Sequence, residues 1–140
     1  MEISARVRNG PGGHEVEVAT TGSARVLTIP ARASGRGSAV NGGELLALAL
    51  ATCYCNDLYR EAERLGIELS GCEVVATAHF QGIGEAAASI VYAARIESTA
   101  SADAIEALLA ETDLRAEVHN TLRAGCAVRR LAWPPKDPAR

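Results

Sequence analysis

Hydrophobic and polar residues alternate through the first third of the chain. Ile3, Ala5 and Val7 fall on one side, with Ser4, Arg6 and Arg8 on the other. That is the period-two signature of a half-buried strand. Asn9-Gly10-Pro11-Gly12-Gly13 then marks a turn. Val16 and Val18 alternate with Glu15 and Glu17 to give a second strand, and Thr21-Gly22 turns the chain into a third over Arg25–Ile29. Three short strands joined by tight turns predict an antiparallel meander. Pro30 to Gly43 has no apolar period and reads as a long loop, a length at which loops often carry function.

The pattern then changes to that of a helix. Glu44 to Leu65 holds neither Gly nor Pro, and Gly66 supplies a C-terminal stop. The stretch Leu45–Cys53 is apolar on every side, which predicts burial on every side. Asp57, Arg60, Glu61, Glu63 and Arg64 predict that the second half emerges into solvent. A small meander cannot wrap a central helix, and a second copy of the chain is the simplest cover. Two strands follow over Cys72–Phe80 and Ala87–Glu97, with Val75, Thr77 and His79 on one face and Val74, Ala76 and Ala78 on the other. Ser101 caps a helix over Ala102–Glu111 with an apolar stripe of Ile105, Leu108 and Leu109. A second helix over about Asp113–Ala124 takes Leu114, Val118 and Leu122 as its stripe, and Gly125 stops it. Ala127–Trp133 reads as a short final element and 134–140 as a tail. The whole is an α+β chain with one domain over 1–133.

Composition narrows the function classes. The 140 residues are 48% hydrophobic and 22% charged, ordinary for a globular domain. No apolar run reaches the roughly 18 residues of a membrane span, and the N-terminus lacks the basic start and apolar core of a signal peptide. A cytoplasmic location without a membrane partner is expected. A formal net charge of −3 gives no electrostatic case for nucleic acid. Lys136 is the single lysine, the remaining basic residues being Arg.

Cysteines stand at 53, 55, 72 and 126. Without an export signal they are read as thiols rather than a disulfide framework. Cys53-x-Cys55 is too closely spaced for a usual zinc-ligand pair, so no structural metal is expected. They are therefore packing residues or redox groups. Cys53, deep in the apolar half of the helix, needs a cation or strong donor to become a thiolate there, because burial alone disfavours the charged form.

The segment Glu44-Leu45-Leu46-Ala47-Leu48-Ala49-Leu50-Ala51-Thr52-Cys53 resembles the central-helix motif of the OsmC/Ohr family of thiol peroxidases. Ala124-Gly125-Cys126-Ala127-Val128-Arg129-Arg130 resembles that family's second cysteine segment, and the element order matches over roughly residues 3–131. The resemblance implies an intertwined homodimer in which both chains contribute to the sheets around two long helices. It implies reduction of an organic hydroperoxide without a cofactor. Cys53 is then the peroxidatic nucleophile, Cys126 the resolving thiol, and an external dithiol such as a lipoyl group the reductant.

Two positions depart from the family pattern. Where the organic-hydroperoxide branch has an arginine after a Gly-Gly pair, Gly12-Gly13 is followed by His14. Where that branch has a glutamate ten residues before the first cysteine, Gly43 stands, with Glu44 one position later. His14 and Glu44 are carried as candidate activating residues, and Glu44 has a competing role at the positive end of the helix. Arg6, Arg8, Arg32 and Arg36 are further candidate cations. Pro134 and Pro135 cut short the family's last strand. Cys55, Cys72, His79, Tyr54 and Tyr59 are read as packing residues and His119 as a solvated one. The alternatives are a non-enzymatic dimer of the same fold, binding an apolar small molecule or sensing redox state through Cys53, and a metal site using Cys53, Cys55 and His14.

Overall fold

The structure is a computed structural model, described here for residues 1–133. The expected tail at 134–140 lies outside the described residues. The chain divides into two compact units, one over Met1–Leu48 and the other from Ala49 onward.

The first unit is the expected meander. Strands β1 (Ile3–Gly10), β2 (Gly13–Thr20) and β3 (Ser23–Leu27) pair antiparallel in the order β1-β2-β3. The turn between β1 and β2 is tight because Gly10 pairs with Gly13, and Gly13 takes φ 124°, which an L side chain rarely adopts. Arg8 lies opposite Glu15 and Arg6 opposite Glu17, so polar residues meet across one face of the ladder. The predicted long loop is locally organised by a bridge between Ala31 and Ser38.

Helix α1 (Gly42–Leu65) begins in the first unit and runs on through the second. In the second unit, β4 (Gly71–Phe80) and β5 (Ala87–Glu97) form an antiparallel pair, followed by α2 (Ala102–Arg115) and α3 (Glu117–Ala124). The core is built from Tyr54, Leu58 and Ala62 of α1 with Leu108 of α2 and Ala116 between the last two helices. Cys72 and Val74 of β4, and Tyr92, Ala94 and Ile96 of β5, pack against it. Val74, Ala76 and Ala78 are therefore the inner face of β4, while Val75, Thr77 and His79 face out, as the alternation predicts. Tyr54 also donates its hydroxyl to the carbonyl of Leu109 at 2.8 Å, satisfying its polar end within the core.

Burial in the second half of α1 departs from the sequence expectation. In the single chain only Leu50 of the Leu45–Cys53 stretch is buried, and Leu48 is 58% exposed. The buried residues concentrate in the half expected to emerge, where even Asp57 and Glu61 are covered. The charges are tolerated because arginines meet them: Arg60 reaches Asp57 at 2.8 Å and Arg64 reaches Glu61 at 2.6 Å.

The C-terminal helices also differ from the pattern reading. The residue between them, Ala116, has φ −71° and ψ 103°. That non-helical residue resets the helical phase, so Leu114, Val118 and Leu122 do not form one stripe. Leu114 is 69% exposed, while Thr112 and His119 are buried instead. Gly125, at φ 65°, ends α3 in the left-handed conformation. The described residues after it, 126–133, form neither helix nor strand, so the short element expected at Ala127–Trp133 is not formed.

Candidate active site

Cys53, Asp57 and Arg60 stand at i, i+4 and i+7 on α1 and so share one helix face. The first turn of α3 meets that face. The Cys53 thiol donates to Asp57 Oδ2 at 3.4 Å and lies 3.9 Å from Glu117 Oε2. Arg60 holds both carboxylates, at 2.8 Å from Asp57 and 3.5 Å from Glu117, and reaches Glu61 through its Nε at 3.2 Å. Behind it the cluster continues through Glu61, Arg64 and Glu111, with Arg64 bridging the two glutamates at 2.6 and 3.0 Å.

This setting favours the protonated thiol. Burial pushes the Cys53 thiol up, a backbone hydrogen bond from Val118 pulls it down, and the negative charges of Asp57 and Glu117 push it up again. Burial also raises the Asp57 carboxyl; the Cys53 hydrogen bond and Arg60 oppose the shift while Glu117 adds to it. The two groups that share the proton are thus a thiol and a carboxylate of raised basicity. Cys53, Asp57 and Glu117 are also the one group of three potential metal ligands among the described residues, their ligand atoms lying within 4.8 Å of one another. A single soft sulfur with two carboxylates, both already paired with Arg60, is a poor donor set for an ion.

The other sequence candidates have the following local surroundings. Cys126 follows Gly125 at the far end of α3 and is exposed, and both it and Cys53 are free thiols. Cys53 touches the first turn of α3, and that eight-residue helix rises about 12 Å before Cys126. Glu44 makes a reciprocal cap at the start of α1: Asn41 N–H donates to Glu44 Oε2 at 2.7 Å, and Glu44 N–H donates to Asn41 Oδ1 at 2.9 Å. It lies nine residues, about 13 Å of helix rise, from Cys53. His14, on β2, pairs its Nδ1 with Asn9 Nδ2 at 3.2 Å, while its Nε2 is buried without a partner among the described residues. It lines a surface groove of about 450 Å³ together with Arg6, Arg8, Glu15 and Glu17. Cys55, expected to be a packing residue, meets Cys72, with sulfurs 3.3 Å apart.

His119 is the clearest correction. It is 3% exposed, not solvated, and both ring nitrogens lack a hydrogen-bond partner among the described residues. The ring sits against Tyr54 and Tyr92, with centroids 5.5 and 4.5 Å away. Burial lowers its pKa, Arg123 adds to the effect, and Asp113 opposes it. A recess of about 100 Å³ lined by Leu50, Ile90, Tyr92, His119, Leu122 and Arg123 opens beside the ring. Asp57 and Arg60 were expected in solvent, although their spacing from Cys53 is itself the signal of a shared helix face. Glu117, 64 residues from Cys53, had no such signal.

Comparison with known proteins bears on the family and the fold. The profile of the family described as OsmC-like protein matches residues 35–129. No protein of curated function matches the chain. Among solved structures, the chain is similar to an OsmC-like protein from Mycoplasma pneumoniae, at 18% identity and a TM-score of 0.63, covering 89% of this chain and 87% of that one. It is similar to an organic hydroperoxide resistance protein OsmC from Legionella pneumophila, at 21% identity and a TM-score of 0.60 over 88% and 90% of the two chains. An organic hydroperoxide resistance protein from Elizabethkingia anophelis gives 16% identity and a TM-score of 0.63 over 89% and 90%. At these identities the structures speak for the fold. The profile covers well over half of the 140 residues, and the chain belongs to the OsmC-like protein family.

Proposed function

We propose that the protein is a thiol-dependent peroxidase that reduces organic hydroperoxides, with Cys53 as the attacking sulfur. The observation that carries this reading is the Cys53–Asp57 hydrogen bond, a thiol with a proton acceptor of raised basicity 3.4 Å away. Asp57 takes the thiol proton, and the Val118 N–H supports the sulfur as it becomes negative. The thiolate attacks the distal peroxide oxygen and the O–O bond breaks. Cys53 becomes a sulfenic acid, and the alkoxide leaves as the alcohol after taking up a proton. Arg60, bound to both carboxylates, keeps the charge of the site balanced as that proton moves. The apolar recess beside Leu50, one helical turn before Cys53, suits an organic group better than hydrogen peroxide.

Cys126 then attacks the sulfenic sulfur, a disulfide forms, and water leaves. An external dithiol restores both thiols by exchange. The separation of the two sulfurs across α3 makes a shift of the segment after Gly125 part of this step. The uncovered apolar half of α1, with Leu48 58% exposed, supports a homodimer in which a second copy covers it. One observation favours a second reading. The groups in contact with the thiol are carboxylates, and its pKa is raised. A dimer in which Cys53 does not turn over would look like this.

Sulfenic-acid trapping separates the two readings. In Cys126→Ser treated with one equivalent of tert-butyl hydroperoxide, a dimedone adduct on Cys53 is expected within the time the wild type needs to form its disulfide. No adduct on Cys53, with the peroxide unconsumed, would leave only the non-enzymatic reading.

A further inference from the structure

The structure holds a second pair of thiols, independent of Cys53. Cys55 lies on α1 and Cys72 at the start of β4, 17 residues apart in sequence, and their sulfurs are 3.3 Å apart. Both are half-buried and both are free. The thiols come from different elements, α1 and β4, and their sulfurs are in direct contact where Cys72 borders the core. A disulfide bond is about 2.05 Å long, so the sulfurs must close by a little over 1 Å, within reach of a small side-chain rotation. No third ligand joins them, because the one candidate metal-ligand group among the described residues is Cys53, Asp57 and Glu117.

We propose that Cys55 and Cys72 form a dithiol–disulfide couple that ties α1 to β4, with small-molecule disulfides as the oxidant class. One thiol loses its proton to solvent and attacks a sulfur of the small disulfide. A mixed disulfide forms and one small thiolate leaves. The second cysteine, deprotonated in turn, attacks the protein-side sulfur and expels the second small thiolate. In balance, two cysteine thiols and one small disulfide give one protein disulfide and two small thiols. A dithiol reverses the reaction by the same route. The crosslink fixes the α1 turn that carries Cys53 against the sheet, whatever chemistry Cys53 performs.

The test uses glutathione disulfide on the folded protein. In the Cys53→Ser, Cys126→Ser double variant, the expected product loses two hydrogens in mass, carries no glutathione, and takes up no maleimide at either remaining cysteine. Dithiothreitol should restore both labels. Peptide mapping of the wild type treated in the same way should show the Cys55–Cys72 linked peptide, which keeps the test valid if the double variant folds poorly. Stable glutathione adducts at Cys55 or Cys72, or two thiols that label fully after treatment, would overturn the proposal.

Discussion

At the scale of single residues, Asp57 carries the most distinctive expectation. Its charge holds the Cys53 thiol up, so Asp57→Asn should lower the thiol pKa, read as a shift of the alkylation pH profile to lower pH. If Asp57 is also the proton acceptor, the same variant should reduce peroxide about 10²–10⁴-fold more slowly despite its larger thiolate fraction. A thiol pKa that falls together with a faster peroxide reaction would make Asp57 only an obstacle. His119 gives a second residue-level test. Its folded pKa lies below the ordinary value of about 6.5, so the unfolded chain binds a proton that the folded chain refuses. The stability it contributes is fully present above about pH 6.5 and is lost as pH falls toward the folded value. His119→Phe keeps an aromatic ring against Tyr54 and Tyr92 and should flatten this acid-side loss, measured as the difference in urea midpoint between pH 7.5 and 5.5. Equal losses in both proteins would mean that the ring titrates freely in the fold.

At the scale of elements, the start of α1 separates a cap from a catalyst. Asn41→Ala removes one half of the reciprocal bond with Glu44 and should cost about 0.5–2 kcal/mol in denaturant unfolding. Glu44→Ala should cost stability in the same range and leave the Cys53 reaction with peroxide unchanged; a loss of rate without a loss of stability would return Glu44 to the catalytic set. Leu58→Ala, in the fully buried centre of the same helix, should cost about 2–5 kcal/mol. The order and type of these elements were readable because strands alternate with period two and the α1 segment lacks breakers. The two faces of β4 followed from the same alternation. Where α1 is buried was not readable. Asp57 and Glu61 look like solvent residues until Arg60 and Arg64 fold over them, and the apolar stretch before Cys53 lacks a cover within one chain. The phase break at Ala116 was hidden as well, since nothing local distinguishes that alanine from a helical one. The same limit applied to the Cys55–Cys72 contact, which exists only once β4 packs on α1.

At the scale of the whole molecule, the exposed apolar surface and the reaction make linked demands. Leu48 on α1 and Val75 and Val91 on the outer face of the β4–β5 pair are each more than half exposed. Burying such side chains is worth roughly 1.5–3 kcal/mol each, so sedimentation of the dilute protein should give a dimer. A folded, stable monomer would remove the cover proposed for α1. Turnover of organic hydroperoxides at Cys53 is read directly from consumption of tert-butyl hydroperoxide by the wild type and by Cys53→Ser in excess dihydrolipoamide. Many equivalents of peroxide should be consumed per wild-type chain, and none above the protein-free rate in Cys53→Ser. Consumption by the two proteins at the same rate, or by neither, would contradict turnover at Cys53.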